Sequence, residues 1–169
     1  MQPSEKEFIE LIEANQGIIH KVCGMYCQDA DDKKDLFQEI VLQLWKAYAT
    51  FRKDAKISSW MYQIALNTAI TQLRKSYKKP KFEVVSEAIL NISSDNVVDD
   101  YETKSTFLYH AINQLSEIEK AIIMLYLEEH SNEQIAEIIG ITQNNVRVKL
   151  HRIQEKIKNL LNAQNYERA

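Results

Sequence analysis

Residues 131–152 have the sequence SNEQIAEIIGITQNNVRVKLHR, which predicts two helices separated by a tight turn. Ser131 and Gln134 have the spacing of a capping box, in which each side chain satisfies a free amide at the start of a helix. Gly140 suits the left-handed residue that often follows a helix, and Thr142 can cap the next one. The stretch therefore predicts a short helix, a turn and a longer helix.

Apolar residues in this stretch are spaced so that the two helices can pack together. Ile135, Ala136 and Ile139 of the first helix are expected to meet Val146 and Leu150 of the second. Two helices joined in this way form a helix-turn-helix, whose second helix enters the major groove of DNA with its N-terminal residues.

The opposite face of the second predicted helix is polar and basic. Amide side chains there can pair with base edges, and arginine can pair with guanine or phosphate. The alternative is a packed helical unit with a solvated basic face, but the turn residues favour DNA contact. The candidate contacts are Ser131, Thr142, Gln143, Asn144, Asn145, Arg147, Lys149, His151 and Arg152.

The whole chain of 169 residues contains three glycines and two prolines. Turns between strands depend on these residue types, so their scarcity favours an all-α fold. Pro80 ends one helical pattern, and residues 81–100 are weakly periodic, with a short helical turn predicted near 87–90. We therefore predict helical domains at 1–79 and 101–169, joined by a linker at 80–100.

The formal net charge of −3 argues against a protein that binds DNA without a partner, because such proteins tend to be basic. Basic residues nevertheless collect at 74–81 and 147–158, and acidic ones at 29–35 and 95–102. This uneven distribution indicates DNA contact assisted by a larger partner.

No apolar run is long enough to span a membrane, and the N-terminus lacks the features of a signal peptide. We therefore expect a cytoplasmic protein with no direct membrane insertion. Cys23, Cys27 and His20 lack a fourth metal ligand, which favours buried side chains over a metal site. No nucleophile–base pair and no phosphate-binding glycine loop occur, so we predict no enzyme activity, no cofactor, no metal and no small-molecule substrate.

A second motif lies on the helix predicted after the acidic segment. Asp35, Gln38 and Glu39 share one face because they stand at i, i+3 and i+4, and Leu36 and Leu44 lie near them. The face is either a docking surface for a basic partner helix or an ordinary solvated stripe.

A third motif combines a basic loop with the helix that follows it. Aromatic residues border three cations between residues 51 and 57, a combination that suits unstacked bases. Taken alone, this pattern is explained equally well by aromatic residues that pack in the core, beside a basic helix end that is exposed to solvent. The candidate contacts are Phe51, Arg52, Lys53, Lys56, Ser58, Trp60, Gln63, Asn67, Thr71, Arg74 and Lys75.

Together, DLFQEIVLQLWKAY (35–48), SSWMYQIALNTAITQLRK (58–75) and the helix-turn-helix stretch resemble extracytoplasmic-function sigma factors of bacterial RNA polymerase. The resemblance covers Phe8 to about Leu161. It implies two helical domains, called sigma-two and sigma-four, joined by a flexible linker. It also implies that the chain binds core RNA polymerase and directs initiation at promoters by recognising −35 and −10 elements, and that an anti-sigma factor holds it inactive.

Each motif acquires a role from this resemblance. Asp35, Leu36, Gln38, Glu39 and Leu44 match the segment that docks on the polymerase clamp helices. The third motif matches the surface that captures and holds −10 DNA, and residues 143–152 match the −35 recognition helix. Residues 107–127 match the segment of the second domain that supports the recognition helix. The alternatives are a stand-alone helix-turn-helix regulator and a helical adaptor that binds only protein.

Overall fold

A computed structural model describes residues 4–78 and 100–168, and within these ranges the chain forms seven α-helices and no strand. The all-α prediction is confirmed. The helical turn predicted near 87–90 and most of the predicted linker lie outside the described residues. The helices are α1 (Glu5–Tyr26), α2 (Ala30–Tyr48), α3 (Ile57–Lys78), α4 (Asp100–Asn113), α5 (Glu117–Leu127), α6 (Asn132–Ile139) and α7 (Gln143–Arg168).

Helices α1, α2 and α3 pack against one another as a three-helix unit. Ser4 caps α1 by accepting a hydrogen bond from the Glu7 amide, and Asp29 caps α2 in the same way. Helix α3 begins at Ile57, so Ser58 and Ser59 lie in its first turn.

The core of this unit is formed by one stripe of each helix. The fully buried side chains are large and aliphatic, as the three- and four-residue spacing predicts. They include Ile19, Val22, Ile40, Leu44, Met61 and Leu66.

Helices α4 to α7 form the second unit, and its two short helices, α5 and α6, both begin with a capping box, of which the one at Ser131 was predicted. Complete capping boxes occur at Ser116 with Glu119 and at Ser131 with Gln134. Gly140 has φ 82°, a left-handed conformation that side chains disfavour, and its amide donates to the Ala136 carbonyl.

Packing between α6 and α7 differs from the prediction at one position. Ile135, Ala136, Val146 and Leu150 are buried, but Ile138 occupies the buried position expected for Ile139, which is only half-buried. Both isoleucines fit an apolar stripe, and only the packing of the other helices selects between them.

The two units also contact each other, because α3 packs against α5 and α6. Their buried apolar residues form one continuous cluster. In the described part of the chain, no helix is both long enough and apolar enough to cross a bilayer.

Candidate nucleic-acid interface

The N-terminal half of α7 presents a polar surface on a rigid support. Val146, Leu150 and Ile153 are buried and attach the helix to the second unit. Thr142 caps the helix, since its Oγ1 accepts from the Asn145 amide at 3.1 Å. Among the predicted contacts on this helix, Lys149 is half-buried and the rest are exposed: Gln143, Asn144, Asn145, Arg147, His151 and Arg152.

Ser131 and Thr142 were also predicted to contact DNA, and in the structure each caps the helix that follows it. The Ser131 hydroxyl accepts from the Gln134 amide at 3.2 Å, which fixes the start of α6. Both residues remain exposed, so each keeps hydrogen-bonding capacity toward a ligand.

A second polar surface runs along α3. Gln63, Asn67, Thr71 and Arg74 are all exposed and follow one another at steps of four, four and three residues. This spacing places them in one line along the helix. Lys75 is exposed beside the end of the line.

The loop between α2 and α3 brings aromatic rings to the start of α3. The ring centroids of Phe51 and Trp60 are 4.6 Å apart, and Tyr48 packs against both at 6.4 Å. Phe51 and Trp60 are half-buried, so one part of each ring is accessible. The three loop cations, Arg52, Lys53 and Lys56, and the half-buried Ser58 lie near these rings in sequence.

Helix α2 carries an exposed face that is more apolar than predicted. Asp35 and Gln38 are exposed and Glu39 is half-buried, but Leu36 and Leu44 lie in the core with 2% and 0% exposure. These two leucines hold the helix in place and have no surface to offer a partner.

Two large apolar side chains on the outer face of α2 were missed by the sequence reasoning. Leu42 and Trp45 are 44% and 42% exposed. They continue the line of Asp35 and Gln38 at i+4 and i+7 from Gln38, which was a detectable signal. The exposed face of α2 therefore combines carboxylate, amide and apolar groups.

The cysteines form no candidate metal site. Cys23 is buried, and burial raises the pKa of its thiol to about 11, so it stays protonated at neutral pH. Within the described ranges, no three or more His, Cys, Asp and Glu side chains are grouped closely enough to hold a metal ion.

Comparison with known proteins identifies the family. The model of Sigma-70 region 2 matches residues 11–79, and the model of Sigma-70 region 4 matches residues 108–157. RNA polymerase sigma factor SigV of Bacillus subtilis is 33% identical over 134 residues, which are 79% of this chain and 78% of SigV. The chain therefore belongs to the sigma-70 family of RNA polymerase sigma factors, in its extracytoplasmic-function group.

Other relatives agree with this assignment. The extracytoplasmic-function (ECF) sigma factor SigW of Bacillus subtilis is 25% identical over 91% of this chain and 88% of its own length. The sigma factor RpoE of Bartonella quintana, solved with the anti-sigma factor NepR, has the same fold, with a TM-score of 0.65 and 20% identity. The match covers 94% of this chain and 96% of that one.

Family membership decides between the functional classes. Sigma factors direct RNA polymerase to promoters and catalyse no reaction themselves. The chain is thus a transcription-initiation factor and not an enzyme, and the alternative of a stand-alone helix-turn-helix regulator is set aside.

Proposed function

We propose that residues 1–79 and 101–169 act as the two promoter-reading domains of this sigma factor, with 80–100 as their connection. The observation that carries the proposal is the placement of exposed polar lines on α3 and α7, one in each domain. Two separate surfaces suit a factor that contacts a promoter at two places.

The N-terminal half of α7 reads duplex DNA at the −35 element. Gln143, Asn144 and Asn145 present amides to base edges in the major groove, while Arg147 pairs with guanine or phosphate. His151 and Arg152 lie one to two turns further along and contact the backbone. The capped turn before α7 supports this role because it holds the reading end of the helix still.

The loop after α2 and the exposed line on α3 hold the melted −10 element. Phe51 and Trp60 offer partly accessible rings on which an unpaired base can stack, and the loop cations neutralise phosphate. Extruding a base costs a few kcal/mol, so a ready stacking site favours strand separation. Gln63, Asn67, Thr71, Arg74 and Lys75 then guide the strand along α3.

The exposed face of α2 docks on core polymerase. Asp35, Gln38 and Glu39 supply polar contacts to a basic partner helix, and Leu42 and Trp45 supply apolar area. Leu36 and Leu44 act indirectly by seating the helix. Replacing Gln38 and Glu39 together by alanine is expected to lower core affinity while leaving the fold intact. Unchanged binding in a pull-down, against wild type as reference, contradicts the docking site.

An anti-sigma factor is the expected regulatory partner. The fold of this chain is that of a sigma factor solved with an anti-sigma protein, which supports such a partner here. Because core polymerase and chromosomal DNA lie in the cytoplasm, we propose that this protein acts there.

The proposed function is tested by run-off transcription. Purified core polymerase is given genomic fragments with and without this chain, and discrete transcripts are expected only when the chain is present. A gel shift with the same fragments adds a second test. Retarded DNA is expected only with core enzyme, and tight binding without it contradicts the proposal.

A further inference from the structure

Helix α7 carries an exposed apolar side chain on the face proposed to read duplex DNA. Val148 is 42% exposed. It stands two residues from Val146 and two residues from Leu150, both of which are buried. Because an α-helix turns by about 100° per residue, a step of two residues leads to the opposite side of the helix. The Val148 side chain therefore points away from the core of the second unit.

Val148 lies in the middle of the polar surface of α7. Asn144 precedes it by four residues, and His151 and Arg152 follow it by three and four. Residues at these spacings are neighbours on one face of a helix. Asn144, His151 and Arg152 are all exposed. An aliphatic group thus stands between side chains that are suited to base edges and phosphates.

The exposure of Val148 is an exception to the pattern of its helix. Every other large apolar side chain that the structure describes on α7 is buried or half-buried: Val146, Leu150, Ile153, Ile157, Leu160 and Leu161. Valine is also a weaker helix former than the residues usual on an exposed helical face, because its branched side chain restricts χ1. The one apolar residue that faces outward therefore lies where DNA is expected to bind.

The chemistry of the major groove indicates which group would contact an aliphatic side chain there. Thymine presents a C5-methyl group at its major-groove edge, beside an acceptor oxygen. Guanine, adenine and cytosine present hydrogen-bond donors and acceptors, and valine can pair with none of these groups. Burying an unpaired base edge against valine costs free energy, whereas burying a methyl group is favourable. Val148 thus suits a thymine.

We propose that Val148 is a specificity-determining residue, which selects −35 elements that place a thymine methyl group against its side chain. The inference rests on the proposed function, because it requires α7 to lie in the major groove at the −35 element. It adds a base preference that the polar contacts of α7 do not supply. Since a valine in a helix keeps mainly one χ1 rotamer, little conformational freedom is lost when the contact forms.

Replacing thymine by deoxyuridine tests the contact, because deoxyuridine keeps Watson–Crick pairing and lacks only the C5-methyl group. A promoter recovered by run-off transcription is synthesised with deoxyuridine at each thymine of the −35 element in turn. Binding by core polymerase with this chain is measured by gel-shift titration. At one position the substitution is expected to weaken binding about fourfold, the effect of exposing one buried methyl group.

Val148→Ala shows whether this side chain senses the methyl group. Alanine is a good helix former and the position is exposed, so α7 should remain folded. The variant should bind the thymine promoter about fourfold more weakly than wild type, and deoxyuridine at the sensitive position should cause no further loss. Leu108→Ala is the matched control, since Leu108 is also 42% exposed but lies on α4. It should keep the fourfold ratio between thymine and deoxyuridine.

The outcomes distinguish this inference from the proposed function. An active promoter in which no thymine of the −35 element is sensitive to deoxyuridine overturns the inference alone. A deoxyuridine penalty that persists in Val148→Ala, or one that Leu108→Ala also abolishes, overturns it too, because the methyl group is then sensed elsewhere. If no genomic fragment yields a transcript, the proposed function fails and the inference fails with it.

Discussion

The helix-turn-helix and the aromatic loop before α3 are both proposed DNA-contacting surfaces, but they are held in place by different means. Around α7 the supports are local: a capping box at Ser131, a left-handed Gly140 and a Thr142 cap, all within twelve residues. Around the loop they are distant in sequence. The ring of Phe8 in α1 packs on Trp45 at 5.0 Å and on Tyr48 at 5.3 Å. Tyr48 in turn packs on Phe51 of the loop and on Trp60 at the start of α3.

The difference matches the two kinds of DNA. Reading a duplex requires one helix end to be positioned accurately against base edges, and short-range caps do this well. Binding an unpaired strand requires accessible rings and cations but little directional precision, since every base has a face that can stack. Aromatic packing across three helices supplies such a platform.

Removing the guanidinium of Arg147 is expected to have the largest effect. Arg147→Ala should weaken promoter binding by the polymerase complex by about 2 kcal/mol, or about thirtyfold, because a base or phosphate contact is lost. Core affinity should be unchanged. Lys158→Ala is the control, since it deletes an exposed cation three turns along the same helix. Equal losses for both variants, or lost core affinity, contradict the assignment of α7.

Phe51→Leu tests the aromatic loop before α3, as Arg147→Ala tests α7. Leucine keeps apolar volume beside Trp60 but removes the stacking face, so strand separation should weaken by about 1.5 kcal/mol. Permanganate reactivity of unpaired thymines measures this, while duplex binding upstream should be unaffected. Phe37→Leu is the matched control, a half-buried phenylalanine of the same domain that packs against His20 instead. A loss of upstream binding contradicts the assignment of duplex DNA to α7 and of unpaired DNA to the aromatic loop.

Replacing Gly140 tests whether the turn before α7 depends on local backbone conformation. Apart from the adjacent residues of the chain, nothing lies within 4 Å of the position that a Gly140 Cβ would take, so the expected cost of Gly140→Ala, about 1 kcal/mol in free energy of unfolding, arises from φ 82°. Gly17→Ala is also free of clashes but lies inside α1, where alanine should stabilise by about 0.5–1 kcal/mol. Thermal melts should therefore shift in opposite directions, and equal shifts contradict the role of Gly140.

The smallest effect concerns pH and the capping box at the start of α5. Burial alone raises the pKa of Glu119, but hydrogen bonds from the Ser116 amide and from Lys156 outweigh it and lower the pKa. The carboxylate therefore stabilises the fold above the unfolded pKa of about 4.3 and loses this contribution as pH falls below that value.

Glu119→Gln should destabilise by about 0.5 kcal/mol at pH 7, and the difference from wild type should shrink between pH 5 and pH 3. Glu117→Gln is the control, because it removes a charge from the same helix turn without touching the capping box. Chemical denaturation at each pH measures both variants. A difference that stays constant with pH shows that the local caps contribute no charge-dependent stability to the second domain.

Much of the architecture could be predicted from local chemistry. Capping boxes, the glycine after α6 and the periodic apolar residues specify helices and turns through interactions within four residues. Such interactions are visible in the sequence itself. Family motifs then supplied the roles of the polar faces. For these reasons the helices, the helix-turn-helix and the class of protein were accessible before the structure.

Other features depend on residues far apart in the chain, which no local pattern encodes. The burial of Leu36 and Leu44, the exposure of Leu42 and Trp45, and the choice of Ile138 over Ile139 all follow from which helix packs on which face. The docking of Tyr26 on the Glu117 carbonyl joins positions 91 residues apart. The sequence by itself determined the helices and their chemical faces, whereas only tertiary packing decided which faces are accessible, because burial depends on the whole surrounding structure.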